Sequence, residues 1–192
     1  MRTLTYLVAT SLDGFIAAPD GDFSAFPVDG DSVAAHVRDH PDTIPAFAHG
    51  VLGIEPTGAE FDTVLMGWST YAAGFAVTRS PYPHLRQIVF SRTRAAADAG
   101  AGVEVVDADP LDVVRDLKAG PGTGIWLCGG GRLAGALLPA IDELVLKINP
   151  IVFGRGIPLF GPDPSIAEAR AWKLAESERF DDGVVRQRLV AA

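Results

Sequence analysis

Three consecutive glycines, Gly129-Gly130-Gly131, stand between a wholly apolar stretch (Ile125-Trp126-Leu127-Cys128) and a stretch with helical pattern beginning near Arg132. This places a strand, a turn without Cβ atoms and a helix in immediate succession. Backbone amides in such a turn can approach a ligand closely, because no side chain intervenes. The first turn of the following helix points unpaired N–H groups and a partial positive charge at the same place. The unit therefore suits an anion such as a pyrophosphate. Gly129-x-Gly131-x-x-Ala134 even fits the dinucleotide fingerprint formally. Yet it lies well past the middle of the chain, and Asn149-Pro150, not an acidic residue, ends the next apolar segment. An ordinary Rossmann unit is thus disfavoured, and a tight structural turn is the competing reading of the same glycines.

The remaining elements follow from periodicity and punctuation. Residues 3–10 are apolar and β-branched and read as a buried strand; Ser11-Leu12-Asp13-Gly14 is a turn, followed by Phe15-Ile16-Ala17. Residues 18–30, rich in Pro, Asp and Gly, read as a loop, and residues 31–38 as a short helix with Asp29 or Asp31 as N-cap. Residues 41–60 show little periodicity and are expected to be an irregular insertion. Residues 61–66, 86–91, 102–106, 125–128 and 143–149 are further strands. Asp109-Pro110 supplies an N-cap and a proline at the first helical position, and that helix stops at Gly120-Pro121-Gly122. The tail, 172–180 and 184–190 joined by Asp181-Asp182-Gly183, has the pattern of a hairpin. Short apolar strands separated by helices imply an α/β fold in three layers: a mostly parallel eight-stranded central sheet, closed by an antiparallel C-terminal hairpin. The 192 residues are expected to form one domain.

Two more strand ends carry ligand-compatible residues. Met66-Gly67-Trp68-Ser69-Thr70-Tyr71 follows a buried strand; its hydroxyls can cap a helix or meet a phosphate. Ser91-Arg92-Thr93-Arg94 offers hydroxyls and two guanidinium groups, or a plain solvated loop. In an open α/β sheet, ligands bind at the carboxyl ends of the parallel strands, where all three features fall.

Charge and cysteine content narrow the partners. A formal charge of −8 argues against nucleic acid and against an anionic membrane surface. The lone cysteine, Cys128, forms no internal disulfide, consistent with a reducing, cytoplasmic setting, and it cannot supply a zinc-binding cysteine set. No resident metal is expected. Asp13 interrupts the first apolar stretch, so a secretory signal is not expected there, and no run is long enough for a membrane helix.

In order and spacing, several segments resemble the dihydrofolate-reductase-like superfamily, above all the reductase (C-terminal) domain of the bifunctional deaminase-reductases of riboflavin biosynthesis and its stand-alone bacterial relatives. They are Ser11-Leu12-Asp13-Gly14-Phe15-Ile16-Ala17, Met66-Gly67-x-x-Thr70-Tyr71, Ile88-Val89-Phe90-Ser91-Arg92, Gly129-Gly130-Gly131-Arg132-Leu133, Ile141-Asp142-Glu143-Leu144, and Pro150-Ile151-Val152-Phe153-Gly154-x-Gly156-x-Pro158-Leu159-Phe160. The resemblance implies a dihydrofolate-reductase-like fold and NAD(P)H-dependent hydride transfer to a small heterocyclic (pterin-like or pyrimidine-like) or conjugated substrate. It implies that Ala9, Ile16 and Ala17 border the nicotinamide. The turns Gly67-Trp68-Ser69-Thr70 and Gly129-Gly130-Gly131-Arg132-Leu133 would flank the pyrophosphate, and Ser91 and Arg92 the adenosine end. A homodimer is also implied.

Two positions depart from the pattern. Relatives carry Arg where Trp68 stands, to meet the ribose 2′-phosphate of NADPH; an indole stacks on adenine but cannot neutralise a phosphate, so NADH becomes an option unless Arg92 or Arg94 substitutes. Riboflavin-pathway enzymes carry Lys where Leu7 stands. A non-catalytic nucleotide-binding module of the same fold is the alternative. For catalysis, Asp29 and Asp31 occupy the region where dihydrofolate reductases place an acid, with Asp31 and Phe26 expected at the substrate; both acids are equally suited to capping the helix. Phe23 could wall the same pocket or anchor its loop. Asp13 is expected to shape its own turn, and His36 to lie on the surface.

Overall fold

The computed structural model describes residues 1–161 and 169–192. Six strands run parallel: β1 (Leu4–Thr10), β3 (Phe61–Gly67), β4 (Arg86–Phe90), β5 (Val103–Val106), β6 (Gly124–Gly129) and β7 (Glu143–Ile148). With β9 (Trp172–Arg179) and β10 (Val185–Ala191) they form one eight-stranded sheet, in the order β5-β4-β3-β6-β1-β7-β10-β9. Within this sheet the antiparallel pairs are β7 with β10 and β10 with β9. A separate two-stranded piece pairs β2 (Phe15–Ala17) with β8 (Ile157–Pro158).

The sheet is buried on both faces, which is why its central strands are continuously apolar rather than alternating. One face presents Leu4, Tyr6, Leu65, Ile88, Ile125, Leu127 and Leu144 to α4 (Pro110–Ala119) and α5 (Gly131–Leu137), which contribute Val114, Leu117, Leu133, Ala134 and Leu137. The other face carries Leu7, Val64, Met66, Val89, Trp126 and Val145 against Tyr71 of α3 (Trp68–Ala72) and the chain near Leu85. Farther along that face, α1 (Asp31–Asp39) packs Ala35 against Phe180 and Val184 of the closing hairpin. Each such fully buried aliphatic side chain stabilises the fold by about 1.5–3 kcal/mol.

Local signals hold where the chemistry is local. Asp109 caps α4, accepting the Leu111 amide at 2.8 Å, with Pro110 behind it. The start of α1 differs from expectation: its N-cap is Gly30, not Asp29 or Asp31, and no side chain caps it. Gly30 has φ +104°, and a Cβ there would lie 2.8 Å from an oxygen of Asp182. Asp31 instead accepts the backbone amides of Ser32, Asp181 and Asp182, while Asp182 accepts the amide and hydroxyl of Ser32. The two aspartates thereby latch α1 onto the β9–β10 turn.

Residues 41–60 are irregular only in part. They form a 3₁₀ turn at Pro41–Thr43 and helix α2 (Ala46–Leu52). Asp42, 1% exposed, organises them by accepting the amides of Gly58, Glu60 and Phe61. Asp42→Ala leaves these amides without a partner; each unsatisfied buried donor costs roughly 1–3 kcal/mol. Urea unfolding is expected to show a loss of about 2–4 kcal/mol, with Asp42→Asn losing less.

Candidate functional site

Parallel strands bring six loops to one edge of the sheet, and the glycine turns meet there. Gly67 closes β3, and a Cβ on it would sit 3.7 Å from the Gly130 nitrogen and 3.8 Å from the Gly129 oxygen. A Cβ on Gly130 would lie 3.1 Å from the Thr70 hydroxyl and 3.9 Å from the end of the Ile16 side chain. Thus Ile16 of β2, Gly67 and Thr70 after β3, and Gly129 and Gly130 after β6 come together at one place. Gly129 has φ +137°, a conformation that favours glycine, and the Gly129–Gly130 peptide is cis. Neither Ser69 nor Thr70 caps α3; its N-cap is Gly67, without a side-chain bond. Ser69 is exposed, and Thr70 is partly buried beside the glycines.

The third glycine has a different task. A Cβ on Gly131 would stand 2.1 Å from the Pro158 carbonyl oxygen, and the Gly161 amide donates to the Gly131 carbonyl at 2.7 Å. Gly131 is where α5 packs against the chain leaving β8. Leu133 lies in the core, whereas Arg132 is exposed. Ala17 is buried, with Gly156 packed against its carbonyl. Ala9, near the end of β1, is paired with Lys147.

Trp68 packs edge-on against Tyr71 and Phe75 at 5.5 and 6.0 Å between ring centres. The Arg94 guanidinium lies 5.4 Å from the centre of the Trp68 ring, a cation–π distance. The Ser91 hydroxyl accepts the amides of Thr93 and Arg94, which fixes the turn that carries the guanidinium. Arg92 is exposed. A cation thus stands beside Trp68.

Asp13 reaches beyond its own turn. It accepts the Ser11 hydroxyl at 2.6 Å and the amides of Phe153 and Gly154 at 3.2 and 2.7 Å. The Ser11 hydroxyl and then these amides hold its carboxyl below the usual range. Phe26 packs edge-on against Phe153 at 5.6 Å, tying the 18–30 loop to the segment after β7, while Phe23 is exposed. Asp29 is exposed, and the Asp31 carboxylate is committed to the hairpin amides.

His36, expected at the surface, is 9% exposed. Its Nε2 pairs with the Thr43 hydroxyl at 3.1 Å, and its Nδ1 has no partner among the described residues. Desolvation first, then the positive charge of Lys147, pushes its pKa well below the ordinary histidine value. Lys147 itself was not anticipated. Burial, followed by repulsion from Arg186, brings its ammonium down to about 8. A signal existed in the sequence: Lys147 falls in the same phase as the buried Val145 within a mostly apolar strand that also carries Glu143.

Known proteins bear on this site. The profile of the RibD C-terminal domain family matches residues 2–186. Two Bacillus subtilis (strain 168) relatives are described only as uncharacterized. YyaP is 28% identical over 193 residues, covering 96% of this chain and 93% of that protein. YwjB is 29% identical over 165 residues, covering 83% and 82%. Among solved structures, a putative riboflavin biosynthesis protein from Shewanella sp. PV-4 superposes with a TM-score of 0.73 at 23% identity, covering 100% of this chain and 99% of its own. Acinetobacter baumannii RibD superposes with a TM-score of 0.65 at 19% identity; this chain spans 58% of it. At these identities the structural likeness establishes the fold, a three-layer α/β sheet of the RibD reductase-domain type. The profile match spans nearly the whole chain, and so the protein belongs to the RibD C-terminal domain family.

Proposed function

We propose that the chain is a reductase that takes hydride from NADPH and delivers it to a small heterocyclic or conjugated substrate. The observation that carries this reading is the convergence of Ile16, Gly67, Thr70, Gly129 and Gly130, where a Cβ on Gly130 would stand 3.1 Å from the Thr70 hydroxyl. Such a cradle suits a pyrophosphate approached by backbone and one hydroxyl. It lies at the carboxyl edge of a parallel sheet, where nucleotides bind.

When bound, a reduced nicotinamide supplies the hydride; the protein supplies position and exclusion of water. In this reading Ala9, Ile16 and Ala17 form the apolar wall beside the nicotinamide. Phe26 and Phe153 close the far side of the cleft. Asp31 is not given the proton-donor role, because its oxygens already accept backbone amides; it holds α1 in place instead. Asp29 has no hydrogen-bond partner among the described residues that would orient it. Protonation of the substrate is assigned to a water in the cleft.

Arg94 supports NADPH over NADH. A guanidinium stacked on Trp68 can meet a 2′-phosphate while the indole faces adenine. Arg94→Ala is expected to weaken NADPH binding about tenfold, near 1.5 kcal/mol, and to leave NADH binding unchanged. Tryptophan fluorescence titration with each nucleotide measures both.

The reading as a whole is tested by the same fluorescence titration followed by NADPH oxidation against pterins, pyrimidines and quinones. Quenching with slow turnover of at least one compound is the expected result. Quenching with no turnover across the panel favours a non-catalytic nucleotide-binding module, and no response to NADPH or NADH at millimolar concentration defeats the proposal.

A further inference from the structure

On the sheet face covered by α1, three cross-strand neighbours line up: Ala9 of β1, Lys147 of β7 and Arg186 of β10. Residues directly opposite in adjacent strands share a face, so the two cations lie side by side, next to a residue proposed to border the nicotinamide. Arg186 spends its Nη2 on Asp39 and Glu178, at 2.6 and 2.5 Å. Its Nη1 is buried and has no partner among the described residues. Lys147 is partly buried and has no carboxylate within salt-bridge distance among the described residues. Folding a chain around an uncompensated ammonium and an idle guanidinium N–H is costly. An anionic ligand between the two groups would offset that cost.

The rest of the wall defines the ligand's shape. The Thr43 hydroxyl donates to the His40 carbonyl at 2.8 Å, so it receives the His36 Nε2–H, and His36 Nδ1 is left as a bare acceptor. His36 therefore offers a lone pair, not a second positive charge. Cys128 lies within electrostatic reach of Lys147 and beside Tyr82, whose ring packs on Trp126 at 5.0 Å. One ammonium, one guanidinium N–H and flat apolar walls fit a planar monoanion on a conjugated body.

Resting on the reductase reading, we propose that Lys147 and Nη1 of Arg186 bind a carboxylate of the substrate, and that this enzyme reduces a conjugated acid. The cation pair anchors the anionic end so that the unsaturated body lies against Ala9.

Benzoate and its neutral counterpart benzamide are the probes, titrated by calorimetry with and without NADPH. Benzoate is expected to bind at least tenfold tighter near pH 7. That preference falls as pH rises from 7 to 9.5, because Lys147 loses its proton near 8. The groups facing it do not titrate in that window: burial raises Cys128 to about 12 and Tyr82 well above its usual value, and keeps His36 neutral. The Arg186 Nη2 is ion-paired with Asp39 and Glu178. Lys147→Met, which exchanges a buried charge for an apolar chain of similar length, is expected to fold and to lose the preference. Equal binding of the two probes, a preference indifferent to pH, or one that survives Lys147→Met overturns the assignment. A Lys147-dependent preference in a protein whose fluorescence ignores both nicotinamide nucleotides keeps the anion site and removes the reductase reading.

Discussion

Gly130→Asp is expected to weaken NADPH binding about 100-fold while leaving the unfolding free energy within about 1 kcal/mol of the parent. The two halves of this expectation have separate causes. Gly130 has φ −91° and ψ −170°, extended backbone open to any residue, and it is the N-cap of α5. Aspartate is among the favoured N-cap residues, because its carboxylate accepts an amide from the first turn. The new Cβ stands 3.1 Å from the Thr70 hydroxyl, which a small rotation relieves. Stability is therefore preserved. The new carboxylate, however, faces the space assigned to the pyrophosphate. Two like charges about 5 Å apart at an effective dielectric near 20 repel by about 3 kcal/mol, roughly 100-fold in affinity. Gly130→Ala separates bulk from charge and should lose only a few-fold. If Asp and Ala weaken binding equally, charge is not involved and no phosphate sits there; if neither does, the cradle does not hold the nucleotide.

What the sequence made legible was what depends on neighbours in the chain. The Asp109-Pro110 start of α4, the hairpin around Asp181-Asp182-Gly183 and the buried parallel strands rest on local signals, and each stands where expected. Positions decided by partners far along the chain were not legible. Residues 41–60 lack periodicity because one buried carboxylate, Asp42, gathers the amides of Gly58, Glu60 and Phe61. Asp31 resembles a helix cap or an acid until the hairpin turn, about 150 positions away, is seen to occupy it. His36 has a polar side chain on a short helix, and only the packing of α1 against the closing strands shows that it faces inward. The strand β8 is two residues long and contains a proline, so no pattern announces it. It nevertheless supports β2, which carries Ile16 to the glycines. The triple glycine itself is ambiguous between a ligand turn and a packing turn, and the surroundings of its members differ: Gly130 lies beside the Thr70 hydroxyl and the Ile16 side chain, and Gly131 against the Pro158 carbonyl.

That division yields the opposite expectation one residue later. Gly131→Ala should cost about 3 kcal/mol or more of stability, because the added methyl would stand 2.1 Å from the Pro158 carbonyl oxygen, a backbone atom with no rotamer to yield. The contact is not isolated. Gly135 comes within 2.5 Å of the Gly161 oxygen by the same measure, and Gly161 within 2.9 Å of the Arg132 nitrogen, so three glycines let α5 and the chain after β8 touch backbone to backbone. The Gly161 amide bond to the Gly131 carbonyl, at 2.7 Å, fixes their register. Pushing β8 outward disturbs its pairing with β2 and moves Ile16 away from Gly130. Nucleotide affinity should therefore fall as well, but as a consequence of displaced backbone. Urea unfolding of the two variants side by side decides the matter. Gly130→Asp should keep its midpoint and lose NADPH, whereas Gly131→Ala should lose its midpoint first. The reverse outcome would mean that Gly131, not Gly130, is the residue turned toward the ligand.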